Sequence, residues 1–168
     1  MAWRSVDHYA SLHSSSTMSS FGVNRVWKRY RSVQLGFSLD YPADSFVPQD
    51  GASLGEPDAV SFIARDFTPS KIANGKGSSI EVRVDPAPTE DLRSYRDTTV
   101  PLFNTYLAGH PATRQDQGAC PIPSCDVRFL MINRGNIYEL NIYNGDVNGA
   151  DYVSPADIEL IQKSFRLD

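Results

Sequence analysis

The sequence has few of the residues that build metal and redox sites, with two cysteines and three histidines in 168 residues. Two thiolates need two further ligands to complete a zinc site, and His8, His13 and His110 do not stand at the spacing of such ligands. The sequence therefore predicts no metal ion and no cofactor.

Long hydrophobic runs are also missing. No apolar stretch approaches the roughly 18 residues that a membrane helix needs, so no transmembrane segment is expected. The start of the chain has no apolar segment of the kind that a secretory signal carries. Residues 1–25 are rich in serine, and we expect a flexible tail that is a native leader, an organellar transit segment or a cloning scar. Residues 26–168 are expected to form a single domain.

Basic residues are scarce beyond the start of the chain. Residues 1–32 contain five Lys or Arg residues against Asp7, a net charge of +4, while the whole chain carries −4. The remaining residues therefore carry −8. Binding to a nucleic-acid backbone requires clustered Lys and Arg side chains, so nucleic acid is not the expected partner.

No catalytic motif is present, neither a Gly-x-Ser-x-Gly elbow nor a glycine-rich phosphate loop. His110 lies between Gly109 and Pro111, and we interpret it as a turn residue. The alternative is a general base oriented by Asp116 or Asp126. The sequence leans against an enzyme, assigns no catalytic residue, and leaves His110, Asp116 and Asp126 as the side chains to test.

The two cysteines, Cys120 and Cys125, bracket a short interval that contains two prolines. A stiff interval of this length can bring the two sulfur atoms together, and a local disulfide is the favoured interpretation. Two unrelated thiols and a redox-active pair are the alternatives, although the spacing is not Cys-x-x-Cys. A disulfide predicts an oxidising compartment, either the bacterial periplasm or the exterior. An organellar or cytoplasmic location is the alternative.

The strongest local pattern spans residues 127–143. Two runs of β-branched, aromatic and long apolar residues flank a polar segment, residues 133–136, which predicts a β-hairpin. The first run is apolar on nearly both faces, as in a central strand that is covered on two sides. We therefore expect the hairpin at the centre of a mainly antiparallel sheet.

Three further strands are predicted from alternating apolar residues, at residues 36–42, 59–64 and 80–84. Residues 47–58 contain several Gly and Pro residues and predict a loop. Upstream, Trp27 and Tyr30 alternate with basic residues, and we expect the two aromatic side chains to pack on the core while the charges stay in solvent.

Two helices are predicted. Residues 89–106 start with Thr89 as an N-cap and place apolar residues at helical spacing, with a kink or break at Pro101. Residues 154–165 start with Ser154 as an N-cap and Pro155 in the first turn. Strands and helices in this arrangement indicate the α+β class.

Four segments together resemble the PsbP-like superfamily: residues 36–42 after the aromatic and basic lead-in, residues 108–112, residues 137–140 and residues 161–166. The resemblance covers roughly residues 30–168. This superfamily includes the photosystem II extrinsic protein, a Ran-binding nuclear import factor and small bacterial secreted proteins. The resemblance implies an α-β-α sandwich with a central, mainly antiparallel sheet.

The resemblance also carries an expectation about function. Members of the superfamily mostly bind, stabilise or help assemble other proteins and share no catalytic residue set, which implies a non-catalytic binding or assembly-accessory module with a protein partner. We expect the partner to contact loops at one end of the sheet, residues 51–57, 71–77 and 144–151. The alternative is an enzyme or redox factor with a site around His110 and the Cys120/Cys125 loop.

Overall fold

The computed structural model describes residues 19–20, 23–65, 77–95, 99–117, 126–144 and 152–168. Within these ranges it contains twelve β-strands, two short 3-10 helices (Gly51–Leu54 and Leu92–Tyr95) and one α-helix, α1 (Pro155–Ser164). The strands are β1 (Ser19–Ser20), β2 (Val23–Asn24), β3 (Trp27–Ser32), β4 (Phe37–Pro42), β5 (Phe46–Asp50), β6 (Ala59–Ala64), β7 (Ser79–Pro86), β8 (Leu102–Leu107), β9 (His110–Gln117), β10 (Asp126–Asn133), β11 (Asn136–Tyr143) and β12 (Arg166–Leu167).

The strands form two main antiparallel sheets. The larger has the order β5-β6-β7-β11-β10-β9-β8, and the smaller has the order β12-β4-β3. β1 and β2 pair only with each other among the described strands. The predicted hairpin is β10 and β11, and β11 is the middle strand of the larger sheet, so the central position of the hairpin is confirmed.

The turn of this hairpin explains its register. Arg134 and Gly135 have φ angles of 51° and 76°, and positive φ at both central residues is the mark of a type I′ turn. The turn sets Asn133 opposite Asn136 and Phe129 opposite Leu140. Because side chains alternate between the faces of a strand, this register places Phe129 and Leu140 together on the inner face.

The core lies between the two sheets and α1. Leu140 stands opposite both Phe129 and Val82 in the larger sheet, and all three side chains are fully buried. From the smaller sheet, Phe37 stacks on Phe165 with 5.5 Å between ring centroids. Each such side chain contributes about 1.5–3 kcal/mol on burial, so the core holds the layers together.

The lead-in segment packs as predicted. Trp27 is buried, and Tyr30 meets the Phe62 ring edge-on at 5.2 Å between centroids. Arg29 and Arg31 stay exposed on the outer surface of β3. Sequence reasoning did not identify this segment as a strand, although it pairs with β4 along its whole length.

Helix α1 begins as its sequence predicts. The Ser154 side chain accepts a hydrogen bond from the Asp157 N–H, and the Asp157 carboxylate accepts one from the Ser154 N–H, which completes a capping box. Arg25 Nε lies 3.2 Å from the same carboxylate, and both side chains are largely buried. Arg25, the last residue of the predicted tail, is thereby fixed to the first turn of α1.

The helix predicted for residues 89–106 is wrong. The structure has a 3-10 helix at Leu92–Tyr95 and the strand β8 at Leu102–Leu107. Pro101 stops a helix there because it lacks an N–H donor, and the residues that follow are β-formers that pair with β9. Consequently the fold is richer in sheet than a balanced α-β-α sandwich, with one α-helix in the described part of the chain.

The predicted loop at residues 47–58 is also partly wrong. Phe46–Asp50 forms β5, and Gly51–Leu54 forms a 3-10 helix. Pro48 lacks a backbone donor, but β5 is an edge strand, where a proline can turn its nitrogen to solvent. The position of the strand in the sheet, which sequence does not reveal, makes the proline tolerable.

Candidate functional site

The three side chains proposed for a catalytic site do not come together. His110 is exposed at the first position of β9, opposite Leu107. Asp116 lies near the other end of the same strand, about 20 Å away at the usual rise of a strand. Asp126 starts β10 opposite Gln117, at the same end as Asp116. Neither carboxylate can orient the His110 ring.

Both carboxylates have local partners instead. Asp116 accepts a hydrogen bond of 2.6 Å from Arg114 Nε on its own strand. Asp126 Oδ1 accepts one of 3.0 Å from the Asn144 N–H, just after β11. Asp126 therefore fixes the point at which the chain leaves the sheet. Cys120 and Cys125 lie outside the described residues, and their predicted disulfide remains a prediction.

The chain enters the three predicted contact loops from two different ends of the sheet. Residues 51–57 connect the end of β5 to the start of β6. Ile63 and Tyr143 both stand opposite Ser79, so the chain leaves β6 and β11 at the other end of the sheet. The segments after Arg65 and after Asn144 therefore start at one end, and residues 51–57 lie at the opposite end. Most of residues 71–77 and 144–151 fall outside the described ranges.

The loop at residues 51–57 has a fixed shape. Asp50 accepts a hydrogen bond from the Ala52 N–H, and Gly55 ends the 3-10 helix with φ of 81°. A side chain at Gly51 would place its Cβ 2.1 Å from the Glu56 carbonyl oxygen, so only glycine fits there. The loop presents Glu56 to solvent, between the exposed residues Asp50 and Asp58. The loop and its two flanking aspartates therefore present exposed carboxylates.

A charged network crosses the outer face of the larger sheet. Arg128 Nη2 lies 2.6 Å from Glu139 Oε2, and Asn141 donates a 2.8 Å hydrogen bond to Glu139 Oε1. Burial together with the nearby carboxylates of Glu81 and Glu139 raises the pKa of the Tyr143 hydroxyl above its usual value. Glu139 and Asn141 share a face because they are two residues apart on β11, and the strand register places Arg128 opposite Asn141.

A shallow groove of about 210 Å³ lies beside the C-terminal end of α1. Its lining includes Trp27, Leu160 and Lys163. At its rim, Arg29 donates two hydrogen bonds to Asp40, at 2.7 and 3.0 Å, which raises the pKa of the Arg29 guanidinium. Lys163 and Arg166 also line the groove, so three basic side chains and one acidic side chain surround it.

The described ranges contain no group of three or more His, Cys, Asp or Glu side chains placed to hold a metal ion. None of their helices is long and apolar enough to cross a membrane.

Comparison with known proteins identifies a solved structure with a similar fold. No family model matches the sequence, and no curated protein matches it. The solution structure of cyanobacterial PsbP (CyanoP) from Synechocystis sp. PCC 6803 is similar, with a TM-score of 0.55 and 11% sequence identity. The match covers 91% of this chain and 98% of that chain. The fold of this chain is therefore PsbP-like.

Proposed function

We propose that this protein is a non-catalytic binding or assembly-accessory module that acts by contacting another protein. The observation that carries the proposal is the placement of His110 and the two aspartates at opposite ends of β9. That arrangement disfavours the enzyme alternative, in which His110 needs a carboxylate within hydrogen-bond reach. The PsbP-like fold supports the same function, because the resemblance implies proteins that bind or help assemble other proteins.

The proposed contact surface is the acidic loop of residues 51–57 with its two flanking aspartates. A loop whose backbone is already fixed loses little conformational entropy when a partner binds it. Its exposed carboxylates, Asp50, Glu56 and Asp58, favour a partner with a basic surface, because complementary charge speeds association and selects the partner. Arg83 neutralises part of this charge through a 2.7 Å ion pair with Glu56.

A capture experiment with matched variants tests this surface. The wild-type chain, Asp58→Lys and Asp44→Lys are immobilised and exposed to an extract of the native host. Asp44 is also exposed but precedes β5, at the other end of the sheet, so it controls for the change of charge. We expect Asp58→Lys to retain about tenfold less of the partner, which corresponds to roughly 1.4 kcal/mol, and Asp44→Lys to retain as much as the wild type.

Two results would contradict the proposal. Equal retention by Asp58→Lys would remove the loop as the contact surface. Turnover of a metabolite by the purified chain, lost in His110→Ala while the fold persists, would replace the binding function with an enzymatic one.

We also propose that the protein works in an oxidising compartment, with Cys120 joined to Cys125. This proposal rests on the short, proline-stiffened interval between the two cysteines. Intact-mass measurement after alkylation without reductant tests it on protein purified from its own compartment. No alkylation is expected, and two alkylated thiols would contradict the disulfide.

A further inference from the structure

Among the described residues, strand β8 is an unpaired edge of the larger sheet. It is the last strand in the order, and its inner neighbour is β9. Phe103 and Tyr106 on β8 are 52% and 67% exposed, which is unusual for large apolar side chains in a strand. Natural sheets normally protect such an edge with charge, proline or a covering segment.

The turn between β8 and β9 shows which backbone groups face outward. Ala108 and Gly109 have φ angles of 51° and 80°, as a type I′ turn requires. Such a two-residue turn makes Leu107 and His110 a hydrogen-bonded pair, and pairs alternate along an antiparallel ladder. The N–H and C=O groups of Leu102, Asn104 and Tyr106 therefore point away from β9.

One outward group has a partner in the described part of the chain. Gln162 on α1 donates to the Tyr106 carbonyl oxygen at 2.8 Å and to Thr105 Oγ1 at 2.8 Å. The first bond agrees with the outward direction of the Tyr106 carbonyl. A carbonyl oxygen accepts two hydrogen bonds, so Gln162 leaves room for a second donor.

The edge carries no charge that would repel an identical edge. Residues 98–113 contain no Asp, Glu, Lys or Arg, although 21% of the whole sequence is charged. An uncharged strand is complementary to itself, because two copies can approach antiparallel without placing like charges opposite each other. This property favours a second copy of the chain over a charged partner.

The opposite edge of the sheet is protected. Strand β5 contains Pro48, which lacks an N–H donor, and ends at the exposed residue Asp50. Pairing of β8 with β5 of another copy would be head-to-tail and would build open fibres. With β5 protected, pairing of β8 with itself is favoured, and this closes as a dimer.

We propose that two copies of this protein associate through antiparallel pairing of their β8 strands about a two-fold axis at Asn104. In this register Asn104 faces Asn104 of the second copy. Leu102 of each copy faces Tyr106 of the other copy. The pairing uses all three outward residues and forms about six backbone hydrogen bonds. It also joins the two larger sheets with their inner faces on the same side and covers the exposed Phe103 rings.

The interface is small, so the dimer belongs to the weak class. A contact of one strand falls below the roughly 1,000 Å² of a stable interface. We expect a dissociation constant between about 1 μM and 1 mM, and association that depends on protein concentration. Sedimentation equilibrium up to about 1 mM protein measures it.

Charge variants at the axis test the pairing. Asn104→Lys places two ammonium groups opposite each other and is expected to weaken association at least tenfold, as is Asn104→Asp with two carboxylates. An equimolar mixture of the two variants is expected to associate again, because lysine then faces aspartate. Gln49→Lys puts the same charge on the exposed face of β5 and is expected to leave association unchanged. Thermal unfolding of each variant checks that the fold persists.

Three outcomes would overturn the proposal. The wild-type chain could remain monomeric throughout the concentration range. Gln49→Lys could weaken association as much as Asn104→Lys. The mixture of lysine and aspartate variants could fail to associate more strongly than either variant alone.

Discussion

The two edges of the larger sheet are built differently. Strand β5 carries a proline and ends in an acidic loop, whereas β8 is uncharged and exposes two aromatic side chains. The supports differ as well. Near β5, Arg25 bonds to Ser45 Oγ at 3.0 Å and to buried Asp157, while β8 is tied to α1 by the neutral side chain of Gln162. Among the described residues, the β5 edge is therefore held by a buried ion pair and interrupted by proline, whereas the β8 edge is held by neutral hydrogen bonds and contains no proline.

The largest expected effect is a loss of stability when the ion pair between Arg25 and Asp157 is removed. Asp157→Ala leaves the Arg25 guanidinium buried without its carboxylate and removes half of the capping box on α1. We expect a loss of about 3–5 kcal/mol in the free energy of unfolding, measured by chemical denaturation. Glu159→Ala, an exposed acid on the same helix, is the control and is expected to lose far less, because solvent screens its ion pair with Lys163. Equal losses of stability in the two variants would contradict a special role for the buried Arg25–Asp157 ion pair.

The second prediction concerns a substitution that would allow β5 to pair with a strand of another copy. Pro48→Val restores a backbone donor in the middle of the strand and supplies a residue that favours β-structure. We expect species larger than a dimer, because each copy would then have two edges able to pair. Sedimentation velocity measures the size distribution. An unchanged distribution would show that Pro48 is not what protects this edge.

The third effect is smaller and concerns the support of β8. Gln162→Ala removes the hydrogen bonds to Thr105 Oγ1 and to the Tyr106 carbonyl, at a cost of about 0.5–1.5 kcal/mol each at most. Because β8 is an edge, we expect the loss to appear as faster amide exchange in β8 and not in β10 or β11. Equal acceleration across all of these strands would instead indicate a general loss of stability.

The smallest expected effect is a change in the pKa of the Glu159 carboxyl on α1. The hydrogen bond and charge of Lys163 lower the pKa of the Glu159 carboxyl. A carboxyl with a lowered folded pKa adds stability above its unfolded pKa, and this stability is lost as pH falls through the folded pKa. We expect Lys163→Gln to raise the Glu159 pKa toward its usual value, as followed by carboxyl carbon chemical shifts in NMR. An unchanged pKa would show that the pair does not persist in solution.

The sequence predicted those parts of the fold that have a local cause. The β10-β11 hairpin followed from its alternation and its turn residues, and α1 followed from Ser154 and Pro155. The prediction of a helix at residues 89–106 was wrong because Leu102, Phe103 and Tyr106 have helical spacing but also favour strands. Pairing with β9 makes the strand the stable form. A local pattern does not contain the identity of a distant pairing strand.

The candidate sites were less predictable because their contacts join distant segments. Arg25 meets Asp157, and Gln162 meets Tyr106, across large separations in the chain. The charge-free stretch at residues 98–113 was visible in the sequence, but its meaning depends on β8 being an edge strand. His110 was interpreted as a turn residue, and in the structure it is the first residue of β9, directly after the turn at residues 108 and 109.

Residue-resolved amide exchange tests the difference between the two edges most directly. The amides of Leu102, Asn104 and Tyr106 point away from β9 and are protected only when β8 pairs with a second copy. Their protection is therefore predicted to rise as the protein concentration increases from about 10 μM to about 1 mM, while the amides of β5 show no change. Outward β8 amides that exchange at the same rate at every concentration, or protection that rises equally in β5, would contradict the account.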